Sequence, residues 1–435
     1  MKNQVFTVLV VSILLLSMGF INLSNASSQT IFTVQASGII AIEPAFDGPS
    51  YLIQAIGLNK YRAINETDGS IIYSSTSASD LINSVIKSNS LITFGTGTFL
   101  LTNSITKQAN NVAFEGQGDR TLLQTETSMK INAFTLTNVY GWTIRNLTIE
   151  GTYNGVYAEN GRNLNIVNNH IIDTYHDGIA LFSSINCTVA SNTIGNATRG
   201  FGVHVWNTTD SQVLKNVVDF TYWSCIAVSD GSNYNLVDKN VVSRGGQMGT
   251  LGDGIEIGST PRSGGTVGNV VINNTCHDNV IDGISVAQSN TTGVYGNSVF
   301  NNFVHGISVE SNCTGTLLTG NTVYNNSVNT DVGSGGIIVM GLDTSDTMIQ
   351  SNMIFNNWKD GILLYQSSNN SVIGNRVFDN GQKSDNKYAG ISIATSNDRI
   401  ENNLFYDDQS LKTQIYDMLE EPGYSNNTII RNTIP

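Results

Sequence analysis

Residues 169–191 read NHIIDTYHDGIALFSSINCTVAS, and residues 192–215 read NTIGNATRGFGVHVWNTTDSQVLK. Each stretch begins with Asn and a short apolar segment, and each reaches a Gly followed by an apolar residue nine or ten positions later. Both features recur along most of the chain, which is therefore built from units of about 23 or 24 residues, with occasional longer steps. A fixed period of this length is typical of solenoids, in which each unit packs only against its neighbours.

The first repeated feature is an Asn series, whose steps from Asn146 to Asn240 are 23, 23, 24 and 24 residues. Its members are Asn146, Asn169, Asn192, Asn216, Asn240, Asn274, Asn297, Asn321, Asn352, Asn375, Asn403 and Asn432. We expect each side chain to bond the turn backbone and the equivalent Asn of the next unit. This would be a structural ladder. Asn146 also begins a glycosylation sequon, and we assign it to the ladder.

The second repeated feature is a Gly followed by Ile or Val, as at Gly178, Gly202, Gly254 and Gly283. Apolar residues alternate with others around each Gly, and this period of two indicates β-strands. Three short strands fit in one unit, and units stacked about 4.8 Å apart form a parallel β-helix. The fold class is therefore all-β, a parallel β-helix solenoid.

The ends of the solenoid need covering, because they would otherwise expose apolar core and unpaired strand edges. Ser79-Asp80 precedes Leu81, Ile82, Val85 and Ile86, which are spaced as one helical stripe. We predict an N-terminal capping helix near residues 80–88. The predicted organisation is a signal peptide at 1–26, lead-in strands at 27–75, and the β-helix with its capping helix at 76–435.

The N-terminus has Lys2, an uncharged apolar run from Val5 to Leu23, and the small residues of Ser24-Asn25-Ala26. This pattern predicts a cleaved signal peptide and a secreted or cell-surface protein. The alternative is a retained N-terminal anchor, because the run is just long enough to span a bilayer. Eleven Asn-x-Ser/Thr sequons follow, which would suit a glycoprotein.

The chain has 21 basic and 34 acidic residues and a net charge of −13. This charge repels phosphate backbones and anionic membranes, so nucleic acid is excluded as a partner. The four cysteines lack metal-type spacing and occupy no matching positions of adjacent units. We therefore expect buried thiols, and a monomeric protein.

The segments Gly95–Phe99 and Glu115–Gly118, followed by the Asn repeats, resemble the pectin-lyase-like right-handed β-helix superfamily over about residues 76–435. The resemblance implies a right-handed helix and a polysaccharide partner. It leaves open a lyase, an epimerase, a hydrolase or a surface protein without activity.

A narrower similarity to polygalacturonases involves Asp177–Ile179, Cys225–Val228 and Gly252–Ser259. That family has Asn-Thr-Asp, Asp-Asp, Gly-His-Gly and Arg-Ile-Lys motifs, and of these only Asp177 has a counterpart here. No epimerase-type Asp-Pro-His segment occurs either.

Alternation predicts which side chains face outward. If the apolar residue after each Gly points inward, the residues two and four positions after Gly point to solvent. Aromatic, acidic and His residues concentrate in these columns and just before Gly in the early units, beside insertions that bring Arg244 and Arg262 to a cleft wall. The catalytic candidates are Asp177, His204, Asp253, Glu256 and Arg244, and the substrate-binding candidates are Phe182, Trp206, Trp223 and His176. The alternative for each Asp before Gly is a turn cap.

Three functions remain open. A hydrolase would use two of Asp177, Asp253 and Glu256. A lyase or epimerase acting on an acidic glycan would use Arg244, His204 or a tyrosine as base, with Arg or a Ca²⁺ ion on Asp253 and Asp282 to neutralise the uronate. A noncatalytic surface β-helix would use none. From Gly283 onward we expect scaffold only.

Overall fold

The computed structural model describes residues 47–125, 130–247, 252–258, 265–328, 335–383 and 387–434. The predicted signal peptide and the lead-in up to residue 46 lie outside this part. Ala45–Pro435 forms one compact unit. Within the described ranges, no helix combines the length and the apolar character needed to cross a membrane.

One helix and 42 strands make up the described structure. The first elements are β1 Ser50–Gly57, β2 Lys60–Asn65, β3 Ile71–Ser75, α1 Ala78–Val85, β4 Leu91–Phe94, β5 Gly97–Leu101, β6 Ala113–Thr125, β7 Phe134–Thr137 and β8 Thr143–Glu150. The regular coil begins with β9 Val156–Glu159, β10 Asn165–Val167, β11 His170–Ile172, β12 Ile179–Phe182, β13 Thr188–Ala190, β14 Thr193–Ala197, β15 Val203–Trp206, β16 Gln212–Leu214, β17 Val217–Thr221, β18 Ile226–Ser229, β19 Leu236–Asp238 and β20 Val241–Gly245. It continues with β21 Ile255–Ile257, β22 Thr266–Val267, β23 Val270–Ile272, β24 Thr275–His277, β25 Ile284–Ala287, β26 Ser289–Asn290, β27 Gly293–Tyr295, β28 Ser298–Phe300, β29 Ile307–Glu310, β30 Leu317–Thr319 and β31 Thr322–Tyr324. The last strands are β32 Gly335–Met340, β33 Met348–Gln350, β34 Met353–Phe355, β35 Asp360–Ser368, β36 Ser371–Ile373, β37 Arg376–Phe378, β38 Ala389–Ser396, β39 Arg399–Glu401, β40 Leu404–Tyr406, β41 Tyr416–Glu420 and β42 Thr428–Ile430.

These strands form a coil with three strands in each turn, here called a rung. One strand of each rung joins a 12-stranded sheet, sheet B, in the order β41-β38-β35-β32-β29-β25-β21-β18-β15-β12-β9-β7. The other two join sheet A as two parallel columns of strands. Both columns pass through β8, where Thr143 pairs with Asn165 of β10 and Thr148 pairs with His170 of β11. The predicted all-β parallel β-helix is confirmed.

The core is a set of stacked aliphatic columns. Ile179, Val203, Ile226 and Ile255 pair in register along sheet B, and all four side chains are fully buried. The repeated Gly before this column is a packing requirement. A Cβ at Gly178 would lie 2.6 Å from the carbonyl oxygen of Gly202 in the next rung, closer than van der Waals contact allows.

Helix α1 begins at Ala78, two residues earlier than predicted, because the Ser77 side chain accepts a hydrogen bond from the Asp80 backbone N–H. Leu81, Ile82 and Val85 are buried, as predicted from their spacing. The capping role of the helix stays a prediction. The lead-in strands are continuous with the coil across residue 75, since β1 pairs with both β2 and β4.

The buried Asn ladder runs from Asn169 to Asn432. In each step the side-chain N–H and the backbone N–H donate to the Oδ1 of the next Asn, as from Asn192 to Asn216 at 3.0 and 2.9 Å. Our assignment of Asn146 to this ladder is wrong. Leu147 occupies the ladder position, and its N–H donates to Asn169 Oδ1. Asn146 lies one residue earlier and accepts from Asn168 Nδ2 at 2.6 Å.

A second buried Asn ladder was not predicted. It consists of Asn279, Asn302, Asn326, Asn357 and Asn380, and it ends on Gln414 Oε1. Each of these Asn residues lies five positions after a member of the first ladder. A recurring Asn at this offset is the sequence signal for the second ladder.

Six half-buried rings stack between the two Asn ladders. They are His277, Phe300, Tyr324, Phe355, Phe378 and Tyr406, which lie on or beside strands β24 to β40. Neighbouring ring centroids are 4.9 to 5.1 Å apart, and the planes differ by 14° at most. The rung spacing therefore sets the ring spacing.

All four cysteines are buried and free, as predicted. They are Cys187, Cys225, Cys276 and Cys313, on different rungs.

Candidate functional site

The two predicted outward columns lie on the outer face of sheet B. One column runs Ala180, His204, Ala227, Glu256 and Ser285, and its members pair in register from rung to rung. The other column contains Phe182 and Trp206.

The prediction that these columns are open to solvent is only partly right. Trp206 is 37% exposed, whereas His204 is only 6% exposed and Glu256 is half-buried. The outer face thus contains buried polar groups, which is unusual for a surface and typical of a site.

The Asp residues that precede Gly cap the neighbouring rung. Oδ1 of Asp177, Asp253, Asp282 and Asp360 each accepts a backbone N–H from the next rung, at 2.9, 3.0, 3.0 and 2.7 Å. This shared contact is a structural explanation for the recurrence of Asp at this position. A catalytic role therefore has to be argued from the other contacts of each residue.

Asp177 is a buried anion held by two imidazoles. His176 Nδ1 lies 3.2 Å from its Oδ1, and His204 Nδ1 lies 3.4 Å from its Oδ2. Burial raises the pKa of Asp177, but the two histidines outweigh it and bring the pKa to about 2. His176 also stacks on Tyr153, at a centroid distance of 5.5 Å.

The imidazole of His204 is enclosed by aromatic rings. Phe201, Phe182 and Trp206 lie 4.3, 5.1 and 5.6 Å from its centroid. Nε2 makes no hydrogen bond with a protein atom, and Nδ1 has only its 3.4 Å contact with Asp177 Oδ2, although both nitrogens are buried. Buried polar atoms nearly always have partners, so this ring is suited to receive a hydroxyl group from a ligand.

Glu256 lies on the other side of Ala227 from His204. Its Oε2 accepts a 2.8 Å hydrogen bond from Ser224 Oγ, which in turn accepts from the Asp253 backbone N–H. Burial raises the pKa of Glu256. Glu256 is therefore able to hold a proton under conditions in which an exposed carboxyl would have lost it.

Three further carboxyl groups extend the site along the axis. Burial, with Asp282 and Glu256 nearby, raises the pKa of Asp253 well above its usual range. Burial and the charge of Asp282 also raise the pKa of Glu310. The face is strongly acidic over these rungs.

The number of rungs between two residues gives their separation along the axis, which tests the predicted carboxylate pairs. Asp177 and Glu256 are on rungs three steps apart, or about 14 Å along the axis, which exceeds the separation of paired glycosidase carboxylates. The hydrolase hypothesis with Asp177 as one of the pair therefore does not fit. His204 and Glu256 are two steps apart, or about 10 Å between their Cα atoms.

Arg244 is not part of this cluster, contrary to our expectation. It lies on β20 in sheet A, where Nε donates to Asp219 Oδ1 at 2.7 Å and a second bond joins the other carboxylate oxygen. Its guanidinium also covers the Phe220 ring. Asp219 lies on the preceding rung, so the spacing of residues within one unit did not reveal that it pairs with Arg244. Arg262 lies outside the described residues.

Trp223 is 40% exposed and lies in the turn that leads to Ser224, with its ring edge-on to Tyr222. It borders the site, as expected of a platform residue.

Sequence reasoning did not predict the contact of Ser224 with Glu256 or the contacts of Asp282 with His305 and Ser308. His305 Nδ1 lies 2.8 Å from Asp282 Oδ1, and Ser308 Oγ donates to Oδ2 at 2.6 Å. The His305-Gly306 pair matches Asp177-Gly178 in position, and that match was the available signal.

Asp253 and Asp282 are both engaged by hydrogen bonds within the protein. Both oxygens of Asp282 are already engaged by Ser308 and His305. Across the described ranges, no group of three or more His, Cys, Asp and Glu side chains is arranged to hold a metal ion.

Comparisons with known proteins support the fold. Among solved structures, the A-module of the Azotobacter vinelandii mannuronan C-5 epimerase AlgE6 aligns over 82% of this chain and 93% of its own, with 13% identity and a TM-score of 0.59. A PL6 alginate lyase in complex with a trisaccharide aligns over 82% of both chains, with 15% identity and a TM-score of 0.56. No curated protein sequence matches this chain.

The family model described as "Right handed beta helix region" matches residues 69–219, 201–335 and 315–384. These segments cover more than half of the chain, and the protein therefore belongs to the right-handed β-helix family, with the pectin-lyase-like architecture.

Proposed function

We propose that this protein binds a polysaccharide on the outer face of sheet B and hydrolyses it, with Glu256 as general acid and His204 as general base. The observation that carries the proposal is the buried His204 ring, whose Nε2 has no protein partner and whose Nδ1 lies 3.4 Å from the ionised Asp177 carboxylate. The Asp residues before Gly cap the next rung, which explains their presence, whereas neither His204 nor Glu256 has this role.

The two groups flank a gap over Ala227. Glu256, with its raised pKa, donates a proton to the glycosidic oxygen as the bond from that oxygen to the anomeric carbon breaks. A water molecule forms the new bond to the anomeric carbon, and His204 takes its proton. Asp177 orients the imidazole and stabilises the imidazolium, as a buried Asp does in other catalytic His-Asp pairs. A spacing of about 10 Å between strands leaves room for the sugar and the water.

The charge of the face favours an uncharged sugar over the acidic glycan expected from the sequence. Neither Lys nor Arg occurs in the two outward columns or at the position before Gly, along the described rungs from Asn154 to Leu419. At these described positions, a uronate would lie near the carboxyl groups of Glu256, Asp253 and Asp282 and would meet no guanidinium or ammonium, which is electrostatically unfavourable.

The second candidate is a lyase or epimerase acting on a uronan. The likeness to an alginate epimerase and an alginate lyase favours it. His204 would then remove the proton at C5 of the uronate. A noncatalytic β-helix would bind the glycan and release no product.

Product analysis separates these functions. The purified chain is incubated with a soluble β-glucan and with alginate, and reducing ends and the ultraviolet absorbance of unsaturated sugars are measured separately. We expect reducing ends from the glucan without absorbance, and their loss in Glu256→Gln and His204→Ala. Asp360→Asn, a rung-capping position four rungs from Glu256, is the control. Absorbance with alginate would instead establish the lyase, and loss of activity in Asp360→Asn equal to that in Glu256→Gln would place the site elsewhere.

We propose secretion or surface display as the location, because the N-terminal pattern favours export. A requirement for Ca²⁺ belongs to the lyase alternative alone. Fractionation of cells that express the full chain, with N-terminal sequencing of the product, tests export and cleavage after Ala26.

A further inference from the structure

The exposed aromatic side chains are concentrated on one side of the coil. In the described part of the chain, ten aromatic residues are exposed, and seven of them lie on sheet B or in the turn that leads into it. These seven are Tyr175, Trp206, Trp223, Phe303, Trp358, Tyr365 and Tyr416. Three of the four tryptophans belong to this set, whereas Trp142 is in the core.

Several of these rings share one turn. Tyr175, Phe303 and Trp358 each lie two positions before the residue that precedes Gly-Ile or its equivalent, namely Asp177, His305 and Asp360. Trp223 lies one position before Ser224 in the same series. The turn borders sheet B on every rung, so these rings follow one edge of the outer face.

The rings are separated by whole rungs. Three steps separate the rung of Trp223 from that of Phe303, and two more lead to Trp358. The five steps correspond to about 24 Å along the axis. Trp223, Phe303 and Trp358 are 40%, 40% and 37% exposed.

We propose that Trp223, Phe303 and Trp358 form an aromatic track that holds a linear polysaccharide along the solenoid axis. The track extends the proposed function, on which it rests, into rungs that we expected to be scaffold. Rings stack on the C–H faces of sugars, and single rings spaced by whole rungs suit a repeating polymer. A protein partner would need a contiguous apolar patch, whereas two or three rungs separate Trp223 from Phe303 and Phe303 from Trp358.

Affinity electrophoresis tests the track. Wild type, Trp358→Ala, Tyr234→Ala and Glu256→Gln are run in gels that contain a soluble β-glucan or alginate, and their thermal unfolding is compared. Tyr234 is the matched control, an aromatic residue 63% exposed that lies away from sheet B. We expect Trp358→Ala to bind the retarding polymer roughly three- to tenfold more weakly than wild type, at an unchanged unfolding temperature. Tyr234→Ala should bind like wild type, and Glu256→Gln should keep polymer binding while losing turnover.

Each proposal fails in its own way. Equal retardation of Trp358→Ala and Tyr234→Ala would overturn the track and leave the His204 site standing. If neither polymer retards wild type, both proposals fail. If wild type is a dimer that Trp358→Ala dissociates, the aromatic edge is a self-association surface and the track is overturned.

Discussion

Asp177 and Asp360 are equivalent in position and opposite in electrostatics. Each caps the next rung through Oδ1. The pKa of Asp177 is lowered to about 2 by two imidazoles that outweigh its burial, whereas burial raises the pKa of Asp360 to about 6. One sequence pattern therefore gives one carboxylate with a pKa of about 2 and another with a pKa of about 6.

Asp177→Asn should destabilise the protein at pH 7. The pKa of Asp177 is below its ordinary value of 3.8, so the carboxylate contributes stability above pH 3.8 that is lost as the pH falls toward 2. The shift corresponds to about 2 kcal/mol, and Asn retains an oxygen for the rung cap. Urea unfolding at pH 7 and pH 3 should show a smaller difference from wild type at the lower pH. A difference that does not depend on pH would argue against an ionic role.

Asp360→Asn should have the opposite effect. Because the pKa of Asp360 is raised to about 6, wild type loses stability as the pH rises from 3.8 through 6. The Asn variant should therefore be more stable than wild type at pH 8, by up to about 3 kcal/mol, and equal to it below pH 4. Denaturant melts at both pH values measure this, and destabilisation at pH 8 would contradict the electrostatic account.

At the scale of the element, stability comes from ladders of identical side chains. The two Asn ladders satisfy the turn backbone on successive rungs, and the ring stack covers the strands between them. Each member contacts one neighbour on either side, so the loss of one member interrupts two contacts.

Replacing Asn297 or Asn302 with Leu should each cost about 1 to 3 kcal/mol, because the backbone N–H of the preceding ladder Asn and a buried C=O of the same rung lose their side-chain partner. Asn290→Leu is the control, since Asn290 is exposed and belongs to neither ladder. Chemical unfolding of the three variants provides the comparison. Equal stability of Asn302→Leu and Asn290→Leu would exclude the second ladder as a stabilising element.

Phe355→Ala should destabilise the coil by about 1 to 3 kcal/mol, because it removes a ring that stacks on both Tyr324 and Phe378. Phe355→Tyr should be nearly neutral, since tyrosine already occupies two places in the same stack. Thermal melts of both variants decide this. A similar loss of stability in Phe355→Ala and Phe355→Tyr would contradict the stabilising role that we assign to ring stacking.

The period and the alternation predicted the fold, the first ladder and the membership of the outward columns, because these depend on local geometry. We misplaced Asn146 because β8 is one continuous strand, which pairs with β10 in its first half and with β11 in its second half. Burial of His204 and the pairing of Arg244 with Asp219 depend on neighbours from other rungs, which spacing within one unit does not reveal.

For the molecule as a whole, each rung contacts only the rungs before and after it, so a complete rung should be removable. Deletion of residues 298–321 removes one 24-residue period and brings Asn297 to Thr322, in the position that Ser298 occupied. We expect a folded protein with an unchanged β-type circular dichroism spectrum and a lower unfolding temperature.

Deletion of residues 298–309, half a period, is the contrasting variant. It would shift core positions onto the outer face, and we expect loss of the cooperative transition. A cooperative transition in this variant, or none after the full-period deletion, would contradict the independence of rungs.

The four buried cysteines can report local opening of the coil. Burial raises the pKa of Cys187 to about 11 and that of Cys225 to about 12, so these thiols are unreactive while their rungs stay closed. Because Cys187, Cys225, Cys276 and Cys313 lie on different rungs, the rate at which a thiol reagent modifies each one under native conditions measures how often that level of the solenoid opens. Peptide mapping of the modified cysteines, without any mutation, would then show from which end the molecule begins to unravel.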